Sequence, residues 1–262
     1  TRQTIARKRL LDFLASRVVL PKYGFPVDVA DLNVNVGTDD YESSKVDLNR
    51  DLKIAIAEYA PGEKTVANGR LWKSVGVRVM RDKQLLKFEQ WECSDCNELV
   101  VRNFINANED KPPCQNCGSV ENLDKKPSFV VPSFGFIGRL ETEKPGESRP
   151  QRSTTTQSYY SEYQGTLNEE FEKINFGDSF VEYRYSRQGQ ITVVTTGPGF
   201  KFCKFCGYME KPSLTKLSKE DNEHPMPRAA LDNNTTCNKS LEYVQLGHQY
   251  LTDVAEIKIP NI

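Results

Sequence analysis

Cys93-Ser94-Asp95-Cys96 and Cys114-Gln115-Asn116-Cys117-Gly118 form two Cys-x-x-Cys pairs separated by 17 residues, 97 to 113. That spacing lies within the window of a zinc ribbon. Two cysteines with two residues between them present both thiolates to one tetrahedral ion, and four thiolates on Zn²⁺ close the site to substrate. Gly118 suits the knuckle, which needs a residue of positive φ after its second cysteine. Leu99 to Phe104, between the pairs, has the apolar content of a ribbon hairpin. The plainer alternative is four reduced core thiols that happen to pair. A zinc site of this kind folds the loop it closes and performs no catalysis.

A third pair, Cys203-Lys204-Phe205-Cys206-Gly207, repeats the knuckle and its glycine, and Cys237 adds a third thiolate. A tetrahedral site needs one more ligand. The chain has two histidines. His224 sits between the cysteines in the Pro-flanked His224-Pro225-Met226-Pro227 segment and is the preferred fourth ligand. His248, water or no metal at all are the alternatives; a three-thiolate site holding water would be open and could be catalytic. Sparse, tightly spaced thiols in a 262-residue chain point to a reducing, cytoplasmic setting rather than a secreted disulfide scaffold.

Around these pairs the sequence reads as α+β, mainly β, with antiparallel sheets, an inserted zinc ribbon and a second zinc knuckle. Thr4 to Ser16 has helical spacing and Val27 to Val34 alternates as a strand. Leu52 to Tyr59 also alternates, with Leu52, Ile54 and Ile56 on one face. Asn68-Gly69 is a two-residue hairpin signal before a strand over Leu71 to Met80. Phe129 to Ile137 reads as one buried strand and Gly146 to Ser158 as a polar, mobile stretch. Glu182 to Tyr185 and Gln190 to Thr196 read as a hairpin turning near Gln188-Gly189, and Val254 to Ile259 as the last strand. The expected segments are 1–90, a helix and β-rich part; 91–120, the ribbon; and 121–262, a β-rich part with the second cluster.

Hydrophobic residues make up 37% of the chain, enough for a core, and the net charge is -1, which excludes a generally polybasic binder. No apolar run is long enough to span a membrane. The N-terminus lacks a Met and a signal-peptide pattern and reads as a cut from a longer chain. The sequence has no P-loop, no G-x-S-x-G elbow, no H-E-x-x-H and no deaminase H-x-E, so no catalytic residue is assigned. Asp39-Asp40 and Glu169-Glu170 are read as solvated charges.

Local charge is less even than the total. Pro61 to Gln90 carries seven basic residues against three acidic ones and contains Trp72. Gly199 to Glu220 interleaves Lys201, Lys204, Lys211, Lys216 and Lys219 with Phe200, Phe202, Phe205 and Tyr208. Cations beside aromatics suit a nucleic-acid backbone and its bases. Lys73, Arg78, Arg81, Lys201 and Lys204 are therefore candidate phosphate contacts, with Trp72 or Phe202 available to stack. The competing explanation is that strands turn Lys and Arg to solvent and aromatics to the core.

Leu11-Asp12-Phe13-Leu14, Leu20-Pro21-Lys22-Tyr23-Gly24-Phe25-Pro26-Val27-Asp28-Val29, Arg50 to Gly62, Gly69 to Gly76 and Leu246-Gly247-His248-Gln249-Tyr250-Leu251-Thr252-Asp253-Val254 together carry a resemblance. In this order, with the cysteine knuckles, they resemble the MrfA-type zinc-binding (MZB) domain family, the C-terminal region of DEAD/DEAH-box helicases and of helicase partners in DISARM-type phage defence. The resemblance implies an accessory, metal-stabilised module attached to or partnered with a superfamily 2 DNA helicase. Cys93, Cys96, Cys114 and Cys117 match the four-cysteine site common in that family, whereas the second cluster departs from four cysteines. The expected function is a zinc-binding accessory domain that helps a helicase engage DNA; the alternative is a zinc-stabilised scaffold docking onto a helicase motor.

Overall fold

The computed structural model describes residues 28–34, 46–80, 82–104, 110–141, 143–146, 150–161, 171–177, 179–212, 222–227 and 235–259. The helix expected over Thr4 to Ser16, the acidic pairs Asp39-Asp40 and Glu169-Glu170, and Arg81 lie outside them. The described residues are predominantly strand, as the sequence suggested.

In chain order the strands are β1 (Val29–Asn33), β2 (Asn49–Asp51), β3 (Lys64–Ala67), β4 (Arg70–Val77), β5 (Lys87–Cys93), β6 (Leu99–Asn103), β7 (Leu123–Val130) and β8 (Phe136–Leu140). They continue with β9 (Thr156–Ser161), β10 (Glu172–Phe176), β11 (Ser179–Thr195), β12 (Phe200–Phe202), β13 (Met209–Glu210), β14 (His224–Pro225), β15 (Thr236–Cys237) and β16 (Glu242–Lys258). Helix α1 (Leu52–Glu58) follows β2.

One sheet has the order β2-β1-β8-β4-β3. A second runs β10-β11-β16-β7-β5-β6, with β9 added on β11 and the β12-β13 hairpin on β16. Pairing is antiparallel except for β1 with β8 and β7 with β16. Both sheets contribute to one core: Leu32, Trp72, Val77 and Phe136 from the first, Phe129, Val193, Phe202 and Leu246 from the second. Helix α1 is packed against β1, β11 and β16 and adds Leu52, Ala55 and Ile56.

Several local expectations hold. β3 and β4 form the hairpin, and its two turn residues, Asn68 and Gly69, have φ of 50° and 66°, both positive as a type I′ turn requires. Four expectations are corrected. Leu52 to Glu58 is helical because Asp51 caps it, accepting from the Lys53 amide, while Leu52, Ala55 and Ile56 share a buried face and Ile54 turns outward. Phe129 to Ile137 is split between β7 and β8, with Gly135 at φ 83° in the connection. The expected hairpin over 182–196 is one continuous strand, β11, whose register against β16 shifts between Ser186 and Gly189. The stretch read as mobile is held at Ser153 and Thr154, which donate to the buried Glu63 carboxylate.

Candidate metal centres and basic surface

Three knuckles share one backbone design. The Cys93, Cys114 and Cys203 amides donate to the Glu98, Ser119 and Tyr208 carbonyls, while their own carbonyls accept from Asn97, Gly118 and Gly207. Those last three residues have φ of 58°, 74° and 82°. Glycine at 118 and 207 announces this conformation in the sequence. Asn97 does not, although asparagine tolerates the left-handed region better than most residues.

The first knuckle is the turn between β5 and β6, and the second immediately precedes β7. Antiparallel pairing places Cys93 opposite Leu123, and the Ser94 amide donates to the Asn122 carbonyl, which draws the two knuckles together. Sγ of Cys93 lies 3.5 Å from Cys117, and Cys96 is 3.5 Å from Cys114 and 3.6 Å from Cys117. Trp91, Val100 and Leu123 pack around the site as a small core of their own.

The third knuckle is the turn of the β12-β13 hairpin, and the β14-β15 pair sets His224 directly opposite Cys237. Cys206 Sγ lies 3.3 Å from His224 Nε2, and Cys203 is 4.0 Å from Cys237. His224 Nδ1 lies 2.6 Å from the Asn222 carbonyl. A donor at Nδ1 leaves the Nε2 lone pair facing the sulfurs, the arrangement in which histidine binds metal. The ring is stacked on Tyr208 with 4.8 Å between centroids.

In each cluster all four ligand atoms lie within 4.8 Å of one another, and the cysteines form no disulfides. A tetrahedron with Zn–S bonds of about 2.3 Å has edges of about 3.8 Å, which the sulfur separations bracket. The chemistry of the donor set agrees. Burial pushes the Cys206 thiol up to about 12; the Tyr208 amide opposes this, and the Cys203 and Cys237 sulfurs add to the rise. The Ser119 amide favours the Cys117 thiolate, yet burial and the Cys93, Cys114 and Cys96 sulfurs push it up to about 12. Thiols packed at this spacing ionise together only with a cation between them. Both donor sets fit Zn²⁺, and each fills all four positions. His248 is elsewhere, on β16, with Nε2 3.5 Å from Asp28 and its ring stacked on Tyr250.

The residues expected to contact nucleic acid separate. Trp72 is 1% exposed, with Nε1 donating to the Ala67 carbonyl, and Phe202 is 3% exposed. Both rings are core residues with no face for a base, so the stacking expectation is corrected for each: on an alternating strand, Trp72 and Phe202 take the inward positions. Arg78 is 3.1 Å from Asp31 in an ion pair. Two other cations of the Pro61 to Gln90 run are paired as well, Lys64 with Glu141 and Glu143, and Lys87 with Glu242. Lys73 and Lys201 are half-buried and Lys204 is exposed. Within the Gly199 to Glu220 run the exposed aromatic is Phe205, at the tip of the third knuckle. It was in the basic, aromatic run but not distinguished from its buried neighbours.

No family model matches the chain, and no solved structure does. The chain is 23% identical to Druantia protein DruE of Escherichia coli (strain UMEA 4076-1) over a 276-residue alignment, which covers 97% of this chain and 14% of that protein. The chain thus spans about a seventh of that relative's length. No helix among the described residues is long and apolar enough to cross a membrane.

Proposed function

We propose that this chain is a non-catalytic, zinc-stabilised accessory domain of the MZB type, belonging to or partnering a superfamily 2 DNA helicase in phage defence, and that it contributes to DNA engagement. The observation that carries the reading is that both ligand clusters are complete without solvent or substrate; closed four-ligand zinc sites build surfaces and leave no position for a reacting group. The likeness to Druantia protein DruE supports the defence setting, and the small share of it that is matched is in keeping with a module of a larger machine. The segments 1–90, 91–120 and 121–262 act as one composite unit, a reading supported by a core to which strands on both sides of the ribbon contribute.

Lys73, Lys201 and Lys204 are the cations that carry phosphate contact in this reading. Arg78 contributes only if its pair with Asp31 opens, and Arg81 remains a sequence-based candidate. Three phosphate contacts give a log–log salt slope of about −2 to −3. Fluorescence anisotropy of a labelled oligonucleotide titrated with the 262-residue chain at several salt concentrations should return that slope. Lys73→Glu with Lys201→Glu should weaken binding and flatten the slope. Absence of binding at low salt defeats the DNA reading.

One observation favours the second reading, a docking scaffold. In the β10-β11-β16 ribbon the register aligns Ile174 and Phe176 with Val181, Tyr183 and Tyr185 and with Ile257 on one face. Ile174, Phe176, Tyr185 and Ile257 are exposed there. The other face is satisfied by the Arg184–Glu256 and Lys173–Glu182 pairs. An exposed apolar face of this kind marks a protein contact.

A further inference from the structure

The three knuckles provide an internal comparison. Their backbones share the same hydrogen bonds, so the turn itself sets no side-chain requirement at the two residues between the cysteines, although Ser94 and Asp95 of the first knuckle also bond to Asp124 and Asn122. Ser94-Asp95 occupy them in the first and Gln115-Asn116 in the second, all exposed and none apolar. The third carries Lys204-Phe205, and Phe205 leaves 61% of its surface in water. Nothing in the knuckle design calls for a large ring there. Lys239, two residues beyond the ligand Cys237, has its ammonium 5.8 Å from the Phe205 ring centroid. The ring and both cations are therefore fixed by the same metal-binding residues.

The neighbouring strand extends the pattern. Lys201 on β12 is directly opposite Tyr243 on β16, and Tyr243 is exposed. Lys201 precedes Lys204 by three residues, at most about 11 Å of backbone. The Lys239–Phe205 contact and the cross-strand Lys201–Tyr243 pairing thus flank the third knuckle, with Glu210 opposite Lys201 on its other side.

We infer that the tip of the third knuckle binds a single strand of nucleic acid, with Phe205 stacking on a base and Lys204 and Lys239 meeting the phosphates. This deepens, and rests on, the DNA reading above. A single strand offers what the tip lacks: an unstacked base face for the ring and phosphates for the flanking cations. Base pairing and stacking in a duplex hide that face. Preorganisation by the metal site limits the ordering cost of the contact.

The test transplants the second knuckle's tip onto the third, Lys204→Gln with Phe205→Asn, in the full chain. Zinc content and thermal midpoint should match wild type, because the second knuckle already tolerates these residues. Affinity for an oligothymidylate of about 15 nucleotides should fall about ten- to a hundredfold, and wild type should bind the corresponding duplex more weakly than the single strand. Phe205→Trp should keep the affinity and add an exposed fluorophore that the oligonucleotide quenches, since Trp72 and Trp91 are buried. An oligouridylate of the same length serves as the RNA arm; binding of either strand supports the tip, and the tighter one names the source. If wild type binds DNA and the transplanted variant binds equally, the tip is wrong while the wider basic surface stands. Equal affinity for duplex and single strand, or no quenching of the Trp variant, also overturns stacking. No nucleic-acid binding by wild type defeats both readings and leaves the protein-docking alternative.

Discussion

At the scale of single residues, His224 decides whether the second cluster is a site or a group of core thiols. Its place opposite Cys237 and its Nδ1 contact with the Asn222 carbonyl aim Nε2 at Cys206. A thiol–imidazole hydrogen bond by itself accounts for the 3.3 Å contact with Cys206, but not for the two further buried sulfurs gathered within 4.8 Å of the same pair. His224→Ala should therefore lower zinc from two ions per chain to one, measured by elemental analysis of the purified protein. His224→Cys should restore the second ion, because a fourth thiolate completes an equivalent tetrahedron. His248→Ala should leave both ions in place, since that ring belongs to the Asp28 and Tyr250 contacts. Retention of both ions in His224→Ala would mean an open or different fourth position.

At the scale of elements, what the sequence revealed was what local spacing dictates. A knuckle is a contract between residues four and five positions apart, and a type I′ turn one between Asn68 and Gly69, so both were legible. Leu52 to Glu58 was not: over seven residues, Leu52-Ile54-Ile56 satisfies a strand period as well as Leu52-Ala55-Ile56 satisfies a helical one, and Asp51 tips the balance by capping. The parallel pairing of β7 with β16 leaves no local mark, because it joins Phe129 to Gln245. The Gly146 to Ser158 stretch, mobile by its composition, differs at Ser153 and Thr154 for a related reason. Its polar composition resembles a loose loop, yet its partner is distant: Glu63 accepts from Lys211 at 2.7 Å, from Thr154 at 2.7 Å and from Ser153. Burial alone would raise the Glu63 pKa, but these donors outweigh it and hold the carboxyl below its ordinary value. The depressed value means that the stabilisation is complete above the unfolded carboxyl pKa of about 4.3 and is lost as pH falls through the lower folded pKa. Glu63→Gln should cost about 2–3 kcal/mol at neutral pH, having exchanged a charged acceptor for a neutral amide in front of Lys211. In urea titrations the difference from wild type should shrink below about pH 4. A difference that stays constant to pH 3 would assign the loss to packing rather than charge.

At the scale of the whole molecule the two metal centres have unequal structural duties. The first closes a small core of its own at the end of β5, β6 and β7, around Trp91, Val100 and Leu123. The second joins the sheets. The Val77 amide on β4 donates to the Gly207 carbonyl, Tyr208 bridges to Gly76, and Arg139 on β8 donates to the Met226 carbonyl beside His224. The approach is so close that a Cβ on Gly76 would lie 2.3 Å from the Gly207 oxygen. Removing the second ion should therefore release contacts in both sheets, whereas removing the first should melt the ribbon and leave the main core intact. Cys237→Ser should destabilise the chain by at least about 3 kcal/mol, as loss of an integral metal does, or about 6–12 °C in Tm for a domain of this size. Cys114→Ser should lower Tm less. Amide exchange gives the sharper reading: Val77 and Ser74 on β4 should lose protection in Cys237→Ser and keep it in Cys114→Ser, while Trp91 and Val100 should show the reverse. Equal loss on β4 in both variants would make the ribbon part of the same cooperative unit, and the second centre would no longer be the clasp between the sheets.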